Sequence, residues 1–232
     1  MAPLGSPHLH LRATTSTTDH ARALAARGAP HGTIVTAGEQ SAGRGRQGRT
    51  WSAPAGHALL LSVVVRRPLD LLPLAAGLAV ARAVGPRAAI KWPNDVLVDD
   101  RKIAGILAEG RPQEGWAVIG IGLNVAVRLE DLPPELHGTA ATLGLRPQDI
   151  GAVRSRVLDE LGAALALDPG ALLDAYRERD ALLGRPISWA SGSGTADGID
   201  GTGRLVVRLD GGGQAQLDAG EVHLGAARAP RA

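Results

Sequence analysis

Between Ala88 and Leu123 the chain sets down four short β-like runs with only turns between them: Ala88 to Lys91, Val96 to Val98, Ile103 to Glu109 and Trp116 to Leu123. Pro93-Asn94 and Asp99-Asp100 break the runs. A parallel pair needs a crossover of a dozen or more residues, so strands this closely spaced pair antiparallel. Upstream, Leu59 to Val65 reads LLLSVVV, apolar enough for a strand buried on both faces in mid-sheet.

Helices frame this sheet. One is expected from about Thr18 to Arg27, with Thr17 or Thr18 as N-cap and Gly28 ending it, followed by a strand from Thr33 to Thr36. A Gly- and Arg-dense loop then runs from Gly38 to Gly56. Leu71 to Val84 carries Ala and Leu at helical spacing and stops at Gly85-Pro86. Two further helices, Asp149 to Leu167 and Pro169 to Leu182, are expected to cover one sheet face, where the first core ends. After Gly184 the pattern changes to short strands, Ile187 to Trp189, Thr195 to Ile199, Leu205 to Leu209 and Gln214 to Leu217, which read as a small β-barrel.

Composition removes several chemistries. With no cysteine among 232 residues there is no disulfide framework, thiolate zinc site or cysteine nucleophile, which is compatible with a reducing cytosol. The formal charge of +2 gives no bulk argument for nucleic acid. The N-terminus lacks an apolar run of signal-peptide length, and no stretch reaches the roughly 18 residues of a membrane span, so the expectation is a soluble, cytoplasmic protein without membrane contact. His8 and His10 are the only close histidine pair, and with no further ligands at metal spacing the histidines read as surface or turn residues.

Four segments carry chemistry. Gly43-Arg44-Gly45-Arg46-Gln47-Gly48 matches G-x-G-x-x-G, but Thr50-Trp51-Ser52-Ala53-Pro54 is poor helix-starting sequence, so the dinucleotide reading is rejected. What marks the loop is Arg44, Arg46 and Arg49 interleaved with glycines, either a solvated basic loop or a grip on phosphate and carboxylate. Lys91-Trp92-Pro93-Asn94-Asp95 with Arg101-Lys102-Ile103-Ala104-Gly105 reads as a hairpin that would set a fixed positive charge beside Gly105, with Asn94 free to read an adenine edge or a ribose. Gly120-Ile121-Gly122-Leu123-Asn124 places glycines inside a strand, which favours a ligand wall. Ser16-Thr17-Thr18, taken alone, is an N-cap cluster.

In this order and spacing, GRGRQGRTW, KWPNDVLV with RKIAGIL, and GIGLNV resemble the biotin protein ligase family in its short form without an N-terminal DNA-binding domain. The stretch Ala219-Gly220-Glu221-Val222-His223 looks like the family's small SH3-like barrel. The resemblance implies an α+β fold: a class II tRNA-synthetase-like catalytic domain with a mixed sheet flanked by helices over residues 8–183, and the barrel over residues 184–226. It implies ATP, Mg²⁺ and biotin as substrates and cofactors, and a lysine of a biotin carboxyl carrier protein or domain as acceptor.

Carried over by motif, Ser16, Thr17, Thr18 and Gln40 would bond the ureido head of biotin, with Thr18 standing where the family usually has Asn. Arg44, Gly45, Arg46, Lys102 and Gly105 complete the biotin contacts, and the loop from Arg44 to Arg46 closes over the adenylate. Arg44, Arg46, Arg49, Trp51, Asn94, Lys102 and Asn124 would hold the nucleotide. Arg46 and Lys102 would offset repulsion between the two reacting anions, and Asp95 is a candidate for orienting or deprotonating the acceptor lysine. The same resemblance allows a homodimer through a sheet edge. The rivals are a lipoate ligase or octanoyltransferase of the same fold, and a non-catalytic biotin sensor. Only 15 residues precede Ser16, too few for a helix-turn-helix domain, so direct repression is not expected.

Overall fold

The computed structural model describes residues 3–68, 70–218, 220 and 222–224. Ala219 and Glu221, which the barrel resemblance used, and the last two residues of the 184–226 unit lie outside them. In chain order the elements are β1 (His8–Leu11), α1 (Thr17–Ala26), β2 (Ile34–Ala37), β3 (Gly43–Arg44), β4 (Thr50–Trp51), β5 (Ala58–Arg66), α2 (Leu72–Val84), β6 (Ala88–Lys91), β7 (Asp95–Val98), β8 (Arg101–Arg111) and β9 (Trp116–Asn124). Then come α3 (Ile150–Leu165), α4 (Pro169–Arg177), β10 (Pro186–Trp189), β11 (Gly192–Ile199), β12 (Leu205–Leu209), β13 (Gln214–Leu217) and β14 (His223–Leu224).

Seven strands form one mixed sheet in the order β1-β2-β5-β9-β8-β7-β6. Every neighbouring pair is antiparallel except β1 and β2, which run parallel. β5 lies inside the sheet, between β2 and β9, and is buried on both faces, and its residues alternate between two environments. Leu59, Leu61, Val63 and Val65 join the main core with α2, α3 and α4. On the opposite face Val64 packs under α1 with Ala21, Ala25, Val35, Trp116 and Val118, while Ala58 and Leu60 meet Val127, Leu132 and Ala140. Between those two small clusters, on the same face, sits Ser62, and the functional cavity opens there.

Several expectations need correction. The N-cap of α1 is Ser16, whose extended backbone (φ −157°) lets its Oγ accept from the Thr18 N–H, so Thr17 and Thr18 belong to the first helical turn. His8 and His10 are exposed, as surface residues, but stand in a strand rather than a turn: β1 is the parallel sheet edge, and both rings bond Thr36 Oγ1 of β2 at 2.8 Å. The loop from Gly38 to Gly56 contains a small hairpin, β3 paired with β4. Helix α4 stops at Arg177 because the chain then leaves it to pair with the outer edge of β6: Ile90 N–H donates to Arg179 O at 2.6 Å and Ala181 N–H to Ile90 O at 2.9 Å. An edge strand's open backbone groups are satisfied by that exchange.

The C-terminal strands form a five-stranded antiparallel sheet, β13-β12-β11-β10-β14. The first core does not end at residue 183. Ile187, Ala196, Ile199, Leu205, Val207 and Val222 continue the same buried cluster that contains α2, and Trp92 Nε1–H donates to Gly203 O at 3.0 Å across the junction. None of the helices among the described residues is long and apolar enough to cross a membrane.

Candidate active site

The cavity, of about 430 Å³, is walled by the β5, β8 and β9 face, the first turn of α1, the β3–β4 hairpin and the segment from Leu132 to Ala140. Its lining includes Thr17, Thr18, Gln40, Arg44, Gly45, Arg46, Arg49, Trp51, Asn94, Asp95, Lys102, Gly105 and Asn124. Of the residues singled out from sequence, Ser16 alone is not in the wall; it is buried and spends its hydroxyl on capping.

Strand parity builds the floor. Leu60 pairs with Gly122, Ser62 with Gly120, and across the next ladder Gly105 pairs with Gly122 and Leu107 with Gly120. All of these share one face, where glycine is required by close approach. A Cβ on Gly122 would sit 2.4 Å from the Trp51 indole, and one on Gly120 2.8 Å from Thr18 Oγ1. The ligand wall expected from these glycines thus carries the chain's own Trp51, laid flat across Gly105 and Gly122. Trp51 Nε1 and Asn124 Oδ1 are both buried without a hydrogen-bond partner, one donor and one acceptor at the cavity wall.

Lys102 reaches this face through a β-bulge. The β7–β8 register runs Asp95 with Gly105 and Val96 with Ala104, then shifts to Leu97 with Lys102. Ile103 and Ala104 both enter the main core, and the extra residue turns Lys102 to the side of Gly105. The Lys102 backbone is held by a segment with no readable motif: its N–H donates to Thr139 O, and its carbonyl accepts from Ala141, each at 2.7 Å. Nζ lies 2.7 Å from Asp95 Oδ1 and 5.8 Å from the Trp51 ring centre.

At one end of the cavity four polar side chains form a chain of fixed direction. Gln40 Oε1 accepts from Thr17 N–H at 2.7 Å and from Thr17 Oγ1 at 3.0 Å. Since the Thr17 proton is used there, Ser62 must donate to Thr17 (2.9 Å), and Thr18 must donate to Ser62 (3.1 Å). This leaves lone pairs on the Thr17 and Thr18 hydroxyls and the Gln40 Nε2 protons to meet a ligand, with the fully buried Ser62 standing behind them. Ser62 went unnoticed in the sequence because it lies inside an apolar run; a single hydroxyl in LLLSVVV was the available signal.

The hairpin brings the arginines in. Arg46 donates to Asn94 Oδ1 at 3.1 Å, and Asn94 Nδ2–H donates to Ile106 O at 3.0 Å, so the Asn94 amide is braced at both ends. Arg44 points to Asp19 and Glu109, and its pKa is raised, first by the Asp19 hydrogen bond, against the cost of burial, and then by the charges of Glu109 and Asp19. Among the described residues Arg44, Arg46, Arg49, Lys91 and Lys102 line the cavity against Asp95 and Asp100. A wall with more cationic than anionic side chains suits a polyanion beside a smaller anion.

Comparison with known proteins shows the family and the fold. The pattern of the biotin/lipoate A/B protein ligase family matches residues 11–125, and that of the biotin protein ligase C-terminal domain residues 183–225. The biotin–acetyl-CoA-carboxylase ligase of Mycobacterium tuberculosis H37Rv is 38% identical over 90% of this chain and 85% of its own. The ligase of the same name from Paracoccus denitrificans is 36% identical over 82% of this chain and 90% of its own. The solved biotin protein ligase of Aquifex aeolicus, in complex with biotin and ATP, superposes with a TM-score of 0.78 at 24% identity, covering 95% of this chain and all of that one, which shows the fold. On sequence identity across nearly its whole length, the chain belongs to the biotin protein ligase family.

Proposed function

We propose that the protein activates biotin with ATP as biotinyl-5′-AMP, releasing pyrophosphate, and transfers biotin to a lysine of a biotin carboxyl carrier protein or domain. The observation that carries this is the pairing, in one cavity, of a cation-lined wall with the directed Thr18-Ser62-Thr17-Gln40 chain. A ureido head has two N–H donors and one carbonyl acceptor, which complement the hydroxyl lone pairs and the Gln40 amide protons. The biotin carboxylate then runs toward Lys102. As a carboxylate oxygen attacks the α-phosphorus and pyrophosphate leaves, Arg46 and Lys102 stabilise the negative charge gathering on the phosphoryl oxygens. Arg49 and Trp51 are assigned to the nucleotide, with Trp51 Nε1 and Asn124 Oδ1 as its unpartnered donor and acceptor.

Lys102 is ion-paired to Asp95 in the structure. Once Lys102 turns to the phosphate, Asp95 is left as a carboxylate within the site, placed to take a proton as the acceptor amine attacks the acyl carbon and AMP departs. Mg²⁺ fits as a companion of the triphosphate: it ordinarily takes one or two carboxylates together with substrate phosphates, and Asp95 and Asp100 are the carboxylates in the wall. When bound it would offset phosphate charge. We take residues 8–183 as the catalytic unit and 184–226 as the C-terminal one, without nucleic acid or membrane as partners, and with the cytoplasm as the location. A homodimer would use the β1 edge, which is open in the sheet order.

The test is incubation of the purified chain with ATP, Mg²⁺, biotin and an acceptor domain, with lipoate in a parallel tube. The expected result is a biotin-sized mass increase on one acceptor lysine, absent with lipoate and in Lys102→Ala. No mass increase and no pyrophosphate would overturn the reading, and labelling with lipoate instead would move it to the lipoate branch of the family.

A further inference from the structure

The β3–β4 hairpin is small and thinly attached. Two residue pairs, Gly43 with Trp51 and Arg44 with Thr50, hold it together, and its turn passes through two left-handed residues, Gln47 (φ 54°) and Gly48 (φ 74°). Its base is tied by Ser41 N–H to Thr14 O and Ala42 N–H to Thr15 O. Outside the cavity Arg44 links it to the rest of the fold. Arg44 spreads its guanidinium between Asp19 Oδ1 at 2.8 Å, in the first turn of α1, and Glu109 Oε1 at 2.9 Å, on β8. Glu109 is itself braced by Arg22 of α1 at 3.2 Å. One cation thereby joins a hairpin, a helix and a sheet that are 25 and 65 residues away in sequence.

Asp19 and Glu109 do not line the cavity in which the small substrates are placed. Their pairs are also exposed, with side-chain accessibilities of 38% for Arg44, 51% for Asp19 and 25% for Glu109. Exposed pairs are individually weak and screened by salt, which suits a contact that must open and close in every turnover more than a permanent brace. We infer that Asp19 and Glu109 are positioning residues that latch the hairpin over the cavity through Arg44, and so set how long the hairpin stays shut. Its consequence for catalysis rests on the proposed function: a mixed anhydride is exposed to water whenever the hairpin opens.

The experiment compares the full chain with an Asp19→Asn/Glu109→Gln double variant, which keeps shape and removes charge. Trypsin cleavage within residues 43–51, where Arg44, Arg46 and Arg49 are the targets, is timed in low salt and in about 1 M salt, where the Debye length is about 3 Å. The variant is expected to be cut about three- to tenfold faster in low salt, the scale two exposed pairs supply. Salt should bring the native chain up to the variant's rate, while the variant barely responds. Preformed adenylate should leave the variant faster by a similar factor, with the thermal midpoint unchanged. Equal cleavage in low salt, or faster cleavage accompanied by a lowered midpoint, would overturn the latch. If the native chain forms no adenylate, the proposed function fails, and the cleavage comparison still decides the latch by itself.

Discussion

Lys102 Nζ lies 2.7 Å from Asp95 Oδ1, and the two meet because a bulge in the β7–β8 ladder turns Lys102 onto the face that Asp95 already occupies. The pair separates two steps of the proposed reaction. Lys102→Ala should lower pyrophosphate release with biotin and ATP by about 10²- to 10³-fold, the usual cost of removing one donor from a developing charge. Asp95→Asn should still form adenylate yet pass biotin from it to the acceptor about 10²-fold more slowly, as for loss of a general base. Single-turnover transfer from preformed adenylate checks the second, and an unaltered rate would remove Asp95 from the chemistry.

Ser62 is the middle of the hydroxyl chain, accepting from Thr18 and donating to Thr17. In Ser62→Ala the Thr18 hydroxyl loses its acceptor and Thr17 loses a donor, in a buried site where each orphaned group costs about 1–3 kcal/mol. The expected result is a KM for biotin raised about tenfold or more with kcat nearly unchanged, the pattern of lost uniform binding. A change in the KM for ATP alone would contradict the assignment of this end of the cavity.

Gly122 and Trp51 should show coupling. A methyl group at Gly122 would stand 2.4 Å from the indole, so Gly122→Ala must push Trp51 off the sheet. In a Trp51→Ala background the same change should cost much less. A double-mutant cycle read by urea unfolding is expected to give a coupling of about 0.5–3 kcal/mol, and additive effects would mean that the indole does not rest there in solution.

Asp180, which does not line the cavity, offers a pH test. Burial raises its carboxyl above the ordinary 3.8, opposed by backbone hydrogen bonds from Leu182 and Leu183. Its Oδ2 and the Tyr176 hydroxyl are both buried without partners, and burial, with the Asp180 charge second, pushes the Tyr176 pKa well up. A folded-state pKa above the unfolded one means the fold favours the protonated acid. That advantage is complete below 3.8 and disappears as pH climbs through the raised value. Asp180→Asn, neutral throughout, should therefore gain about 1 kcal/mol over the native chain at pH 7, and the gain should vanish on acidification toward pH 4. A pH-independent difference in unfolding midpoints would show that ionisation is not its source.

The continuous apolar run of β5, the glycines of β9 and the turns around Pro93-Asn94 and Asp99-Asp100 were legible because they are local. An unbroken apolar stretch, the space a missing Cβ leaves and turn chemistry are all written within a few residues. The motif segments could be read for the same reason, and so could the resemblance built on them. Three-dimensional contacts decided the rest. Whether Lys102 faced the core or the cavity hung on one inserted residue in a ladder. The wall from Leu132 to Ala140 has no pattern, since it is defined only by gripping the Lys102 backbone. Helix α4 ended early because β6 needed an edge partner about 90 residues away in sequence, a pairing fixed by hydrogen-bond demand. Arg44 lines the cavity, where the arginine-glycine loop pointed, and its guanidinium is also engaged by Asp19 and Glu109, partners the sequence could not show. Sequence thus determined the strands, helices and turns whose signals are local; tertiary structure decided the edge strands, the end of α4 and where the charges point, since pairing across 25 or 65 residues leaves no local trace.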